Sequence, residues 1–240
     1  HPFVQYIYFQ NDTMKLDMVA SSSSTIELYM DGVLLATDTA STSFTYDLSV
    51  SNYTSGFHEL VMKASNGTQT VYDTTAYLYH YGTPIVPLPS YAEEGIKALN
   101  DSTMYFQLRA PYKDFAYVKG DFSDWYLKNE FKMNRSPDGQ FYWAEITGLD
   151  KNTEYGFQYI VEESYGYLSI ADPYCEKVLV PYDDYFISDT TYPNLKTYPY
   201  GLTQEIVGTF QIEEPAYNWS TANYQRPKQE ELVIYELLVR

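Results

Sequence analysis

The sequence predicts an all-β fold: two tandem antiparallel β-sandwiches, an extended C-terminal connector and one orphan strand. Three observations lead to this prediction. Short runs of high strand propensity recur along most of the chain, separated by Gly, Asn, Asp and Ser turn signals. The 28 tyrosines suit strands, because tyrosine has high strand propensity and a ring with a polar tip. The stretch "GTPIVPLPS" at 82–90 marks a boundary between two such regions.

Residues 1–83 contain the runs that predict the first sandwich. These runs are "FVQYIYF", "STIELYM", "SFTYDLSV", "HELVMKAS" and "TAYLYHY". Asp31-Gly32 lies between two apolar runs, a strong hairpin signal because glycine tolerates the positive φ of a tight primed turn. The regular spacing of short strands indicates a sandwich. Since the region lacks the Cys…Trp…Cys pattern of antibody domains, it is immunoglobulin-like in architecture only.

We predict a semi-rigid linker over 84–102 and the second sandwich over 103–192. "TMYFQLRAP" and "FAYVKGDF" are its first strands, and "GQFYWAEITGL" and "TEYGFQYIVEE" form a predicted hairpin across "DKNT". Side chains alternate across a strand, so Tyr155, Phe157, Tyr159 and Val161 should face the core. Gln158 and Ile160 then point to the opposite face.

The remaining chain divides into a connector, 193–231, and the orphan strand, 232–240. The connector is rich in Pro, Tyr, Thr and Asn and contains one clear strand, "EIVGTFQI". "LVIYELLV" is almost continuously apolar, which is typical of a strand covered on both faces in a parallel sheet. Helix is the alternative for so short a run, and the β-branched residues favour strand.

Charge and cysteine content restrict the function. The net charge of −17 argues against nucleic acid and anionic membranes as partners, while neutral carbohydrate is not disfavoured. No apolar run approaches the roughly 20 residues of a membrane helix, so we expect no membrane insertion. The three histidines have no metal-ligand spacing, and we expect neither metal nor cofactor. Cys175 has no histidine near it in sequence, which favours a buried structural thiol.

Residues 103–240 resemble the N-terminal region of bacterial alpha-amylase-family glycoside hydrolases. The resemblance rests on "YVKGDFSDW", "YGFQYIV", "ADPY" and "LVIYELLVR", in that order. The middle module is similar to the early-set β-sandwich that precedes the barrel in such enzymes, and to the glycogen-binding module of AMP-activated protein kinase. The family implies that 232–240 is the first strand of a (β/α)8 barrel missing from this sequence. Residues 1–81 resemble the extra immunoglobulin-like module of such enzymes.

The resemblance implies a carbohydrate-binding site. Trp125 matches the tryptophan that stacks on glucose in the kinase module, and Gln158 stands where that module has a sugar-contacting lysine. Where a second stacking tryptophan is expected, this chain has Tyr165, Tyr167 and Leu168, and Trp143 is a further candidate ring. The alternative is that Trp125 packs against the connector or the barrel and contacts no sugar.

Retaining glycosidases need two carboxylates that flank the scissile bond, and in this family they lie on later barrel strands. The chain itself should therefore be inactive, with no catalytic residues. The resemblance implies a secreted, periplasmic or cell-surface protein that supports the barrel, its expected partner, and binds starch or glycogen α-1,4-glucans. An immunoglobulin-like interaction or spacer protein without sugar affinity is the alternative.

Overall fold

The computed structural model describes residues 6–9, 12–163, 166–214, 218 and 223–236. Within these ranges the chain is all-β and contains only short 3-10 turns as helical elements. Among the described residues, no helix combines the length and hydrophobicity needed to cross a lipid bilayer. The first module has five strands: β1 Tyr6–Phe9, β2 Thr13–Met30, β3 Val33–Ser49, β4 Gly56–Ser65 and β5 Thr70–His80.

The first module is one continuous sheet with the strand order β1-β5-β4-β2-β3. Its pairings are antiparallel except that of β1 with β5, which is parallel. The long β2–β3 hairpin changes register between Val19 and Ser24, in the small-residue run "VASSSS". Bulges bend strands, so Met14 and Met18 before this point share one core with Ile26 after it.

The predicted hairpin turn at Asp31-Gly32 is confirmed. Asp31 has φ 50° and Gly32 has φ 79°, as a primed turn requires. The Asp31 carboxylate accepts the backbone N–H of Glu59 and lies 2.7 Å from His58 Nδ1. The same residue therefore makes the turn and ties it to β4.

The second module has nine strands in the described part of the chain, β6 to β14, and the last of them comes from the predicted connector. The first five are β6 Gly95–Asn100, β7 Thr103–Arg109, β8 Ala116–Gly120, β9 Asn134–Arg135 and β10 Phe141–Ile146. The other four are β11 Tyr155–Glu163, β12 Gly166–Ile170, β13 Val178–Leu179 and β14 Val207–Phe210. The second sheet has the order β6-β7-β10-β9, and the third has β12-β11-β14-β13 with β8 paired to β11.

The second and third sheets pack face to face around an aromatic core. Phe157, Tyr159 and Val161 of β11 and Phe106 of β7 are buried in it, with Tyr155 at its margin, as the alternation predicts. The hairpin predicted across "DKNT" is wrong, because β10 pairs with β7 and β9 whereas β11 pairs with β8, β12 and β14. The connection crosses between sheets, since both strands must present apolar side chains to the same core from opposite sides.

The predicted linker, 84–102, is part of the second module. Residues 95–100 form β6, and Val86 receives a hydrogen bond at its carbonyl from the Trp143 indole and donates its N–H to the Arg135 carbonyl. The Tyr91 ring packs edge-on against Tyr105, and its hydroxyl donates to Glu145. The prolines therefore shape a strap that covers the outer face of the second sheet.

The two modules share a buried interface. Leu78 from β5 packs with Phe115, Tyr117 and Ile160 of the second module. His80 lies 4.9 Å, ring to ring, from Phe115, and its Nδ1 is 2.9 Å from the Tyr117 hydroxyl. Thus direct apolar packing, in addition to the covalent connection, holds the modules together.

The predicted connector and orphan strand differ in how they are held. β14 lies in the connector yet pairs with β11 and β13, so it belongs to the third sheet. Residues 232–236 form no strand, and the Val233, Ile234 and Tyr235 side chains are exposed. A strand needs a pairing partner for its backbone groups, and none lies beside this part of the segment among the described residues. The rest of the predicted strand, 237–240, lies outside the described residues.

Cys175 should react slowly with thiol reagents in the folded protein. Its side chain packs against the core of the second module, and burial raises the pKa of the thiol to about 12. Since the thiolate is the nucleophile, we expect labelling by a chromogenic disulfide at pH 8 to be at least about 100-fold slower than in urea. A native rate close to the urea rate would contradict this placement.

Candidate functional site

The outer face of the third sheet holds the candidate site. Lys119 of β8 and Gln158 of β11 are cross-strand partners, so their side chains share this face. Ile160, two residues further along β11, is covered by the first module. Connector residues cover the other end of the face. An open cleft lies between the connector and β12.

The "GDFSDW" turn is a rigid structural unit. Asp121 Oδ1 accepts the Trp125 indole N–H at 2.9 Å, and Oδ2 accepts the Gly156 backbone N–H at 2.7 Å. The Lys196 ammonium lies 3.0 Å from the same Oδ2. Asp124 and Trp125 both have positive φ, 55° and 63°. The Asp121 carboxylate thus links the turn, β11 and the connector.

The structure places Trp125 in a buried cluster. Its side chain is 6% exposed and packs with Leu179, Tyr198 and Val207. Sugar stacking requires an open ring face, and connector residues occupy the space above this ring. This arrangement is the alternative in which Trp125 packs against the connector. A sugar could reach the ring only after the connector moved.

Gln158 is also hydrogen-bonded to the connector. Its side chain is fully buried, its amide donates to the Ile206 carbonyl at 2.9 Å, and its amide oxygen accepts the Thr203 hydroxyl at 2.7 Å. It points to the face that the alternation predicts, but this face is covered there. Gln158 therefore positions the cleft wall and does not line the cleft.

The cleft itself has a volume of about 1060 Å³. Its floor and one side are Lys119 and β12, and the opposite side is the connector segment 198–205. The residues that matter for its chemistry are Lys119, Tyr167, Tyr198, Tyr200, Thr203 and Glu205. Rings, hydroxyls and one charge of each sign thus face a space large enough for a short oligosaccharide.

Tyr200 presents a fixed aromatic surface in this cleft. The side chain is 58% exposed, its hydroxyl donates to the Pro181 carbonyl at 2.9 Å, and its ring lies 4.9 Å from the Tyr198 ring. Tyr198 is itself buried and donates to the Glu205 carbonyl. A ring held in one orientation and open to solvent is what stacking on a sugar C–H face requires.

Lys119 provides the positive charge of the cleft. Its ammonium lies 6.0 Å from the centroid of the Trp125 ring. Burial without an opposing carboxylate lowers the pKa of this lysine to about 8. Within the described part of the chain, no carboxylate lies within 4.0 Å of its ammonium.

The four predicted site residues do not form one site. Tyr167 lines the cleft, half-buried, whereas Trp125 and Gln158 lie behind its walls. Trp143 lies on the second sheet, where its indole N–H donates to the Val86 carbonyl at 3.2 Å. Trp143 is therefore an anchor for the proline strap. Leu168 also lines the cleft, and Tyr165 lies outside the described residues.

Sequence reasoning missed Lys119 and the connector residues, above all Tyr200. Lys119 stands in the "YVKGDF" run, two residues before Asp121, and alternation alone places it on the outer face. For 198–205 the signal was weaker, because no local pattern shows which sheet an irregular segment covers. No group of three or more metal-ligating side chains occurs among the described residues.

Comparison with known proteins gives distant structural likenesses only. No family model matches the chain, and no curated protein matches it. A Paenibacillus barengoltzii pullulanase complexed with maltotriose is 18% identical over 36% of this chain and 13% of its own, with TM-score 0.29. The fibronectin(III)-like modules of Clostridium thermocellum CbhA are 13% identical over 70% of this chain and 88% of theirs, with TM-score 0.31.

A Bacillus acidopullulyticus pullulanase is 12% identical over 69% of this chain and 25% of its own, with TM-score 0.29. The chain thus spans about an eighth to a quarter of the length of these pullulanases. Likenesses at this level of TM-score do not define a family or an activity for the chain.

Proposed function

We propose that this chain is a non-catalytic accessory region of an alpha-amylase-type glycosidase, and that it holds α-glucan in the cleft of the third sheet. The observation that carries the proposal is the fixed, exposed ring of Tyr200 beside Tyr167 and a set of hydroxyl groups. The sugar class proposed, α-1,4-linked glucose, is what the resemblance carried by the ordered sequence motifs implies. A secreted, periplasmic or cell-surface location follows from the same proposal, since starch is an external substrate.

The chemistry of the cleft suits a neutral glucan chain. A glucose ring offers a C–H face to Tyr200, and its hydroxyls can pair with the Thr203 hydroxyl and the Glu205 carboxylate. The reacting carboxylates of such an enzyme would belong to the barrel. The chain would therefore raise the local concentration of glucan near the barrel, as linked binding modules do.

The test is affinity electrophoresis in gels that contain glycogen, with Tyr200→Ala compared with Tyr185→Ala. Tyr185 is 84% exposed and lies outside the cleft, so the two variants remove the same ring. We expect wild type and Tyr185→Ala to be retarded and Tyr200→Ala to lose about tenfold in affinity. This loss equals about 1.4 kcal/mol, within the ~1–3 kcal/mol that stacking of a nucleic-acid base on an aromatic ring contributes. Absence of retardation for wild type would overturn the proposal.

The second candidate is an interaction or spacer protein without sugar affinity. It is favoured by the exposed apolar residues Leu232, Val233, Ile234 and Tyr235. Contiguous exposed apolar side chains are typical of protein-binding surfaces. Analytical ultracentrifugation should show concentration-dependent association of the 240-residue chain and a monomer for a chain ending at Gln229. The same sedimentation for both would exclude this segment as the contact.

A further inference from the structure

We propose that the cleft selects glucan that carries an acidic substituent, such as a phosphate ester, and that Lys119 binds the acidic group. This inference rests on the proposed function and adds the ligand's charge to it. It arises from one feature of the cleft, a lysine at the floor whose ammonium no carboxylate of the described residues approaches within 4.0 Å.

Among the described residues, other partly buried lysines face a carboxylate, and Lys119 does not. Lys63, Lys177 and Lys196 each lie within 3.0 Å of a Glu or Asp oxygen. Lys119 is half-buried, its ammonium lies 6.0 Å from the centroid of the Trp125 ring, and among the described residues no carboxylate oxygen lies within 4.0 Å of it. A buried charge is normally paired, because its lost hydration must be replaced.

Lys119 is accessible from the cleft. Lys119 lines the cleft together with Tyr167 and the connector residues, so a bound ligand can reach it. Glu205 lines the same cleft without pairing to Lys119, and the remaining polar side chains of the lining are neutral hydroxyls and the Gln204 amide. An acidic group on a sugar stacked at Tyr200 would supply a counter-charge that the described part of the chain does not place next to Lys119.

The large negative charge of the chain does not exclude the binding of an acidic glucan in the cleft. At physiological ionic strength the Debye length is about 8 Å, so distant carboxylates are screened and the nearby ammonium dominates. The overall charge would slow the approach of an anionic polymer, while the local contact would stabilise the complex.

The experiment compares one amylopectin in two states, phosphorylated and enzymatically dephosphorylated, by affinity electrophoresis. Three proteins are compared: wild type, Lys119→Met and Lys15→Met. Lys15 is exposed on β2, far along the chain from the cleft residues, and its replacement changes the net charge equally. Methionine keeps an unbranched apolar stem, and thermal unfolding of each variant verifies the fold.

We expect wild type and Lys15→Met to bind the phosphorylated polymer about tenfold more tightly than the dephosphorylated one, as a charge-assisted hydrogen bond allows. In Lys119→Met the ratio of the two affinities should fall to about one. A wild-type ratio near one, or a ratio that survives in Lys119→Met, overturns the inference alone.

Two further outcomes distinguish the absence of glucan binding and the binding of free phosphate from the binding of an acidic sugar. If wild type binds neither polymer, the proposed function fails, and this inference fails with it. If inorganic phosphate competes as well as glucose 6-phosphate at equal concentration, the cleft holds a free anion and the sugar-acid assignment is wrong. Competition by glucose 6-phosphate alone supports the assignment.

Discussion

Replacing Asp121 with asparagine should destabilise the protein by about 2–3 kcal/mol, whereas the same change at Asp124 should cost less than about 0.5 kcal/mol. The Asp121 carboxylate accepts hydrogen bonds from the Trp125 indole and the Gly156 backbone, and it pairs with Lys196. All three partners are donors. An asparagine side chain must turn its NH2 group toward at least one of them, so one donor would face another donor.

Asp124 is the matched control because it lies in the same turn. Its side chain is 81% exposed, and its ion pair with Lys128 is a surface contact. Asparagine tolerates the positive φ of this position as aspartate does. Urea unfolding followed by tryptophan fluorescence measures both variants. Equal losses of stability at the two positions would contradict the assignment of Asp121 as the link between turn, sheet and connector.

Acidification should weaken the folded state through His80. Burial against Phe115 and Tyr117, with the positive charge of Lys132 as a smaller cause, lowers the pKa of His80 from 6.5 to about 4. The unfolded chain therefore takes up the proton first as the pH falls. The contribution of His80 to the free energy of unfolding is fully present above about pH 6.5 and is lost as the pH falls from 6.5 to about 4. The predicted loss by pH 4.5 is about 2.5 kcal/mol.

The test compares wild type with His80→Gln between pH 7.5 and 4.5 by urea unfolding. Glutamine does not titrate, and its amide can still meet the Tyr117 hydroxyl. The carboxylates titrate in both proteins, so the difference between the two pH profiles isolates His80. We expect wild type to lose about 2.5 kcal/mol more than the variant. Parallel profiles would show that His80 is not buried between the modules.

Local sequence determined the β class of this protein and several of its elements. The turn at Asp31-Gly32, the all-β character and the core-facing set on β11 follow from turn chemistry and from two-residue alternation. These signals depend on residues close together in the chain, so they can be interpreted without knowledge of the tertiary structure. The same alternation gave the outward direction of Gln158.

Only the tertiary structure decided what each outward face meets. Gln158 and Trp125 lie beneath the connector, and the Trp143 indole donates to the proline strap, so three predicted sugar-contact residues have partners within the fold. Tyr200, which presents the exposed ring, comes from that covering segment. Alternation fixes the side of a sheet to which a residue points, but the cover on that side comes from distant chain whose path depends on packing.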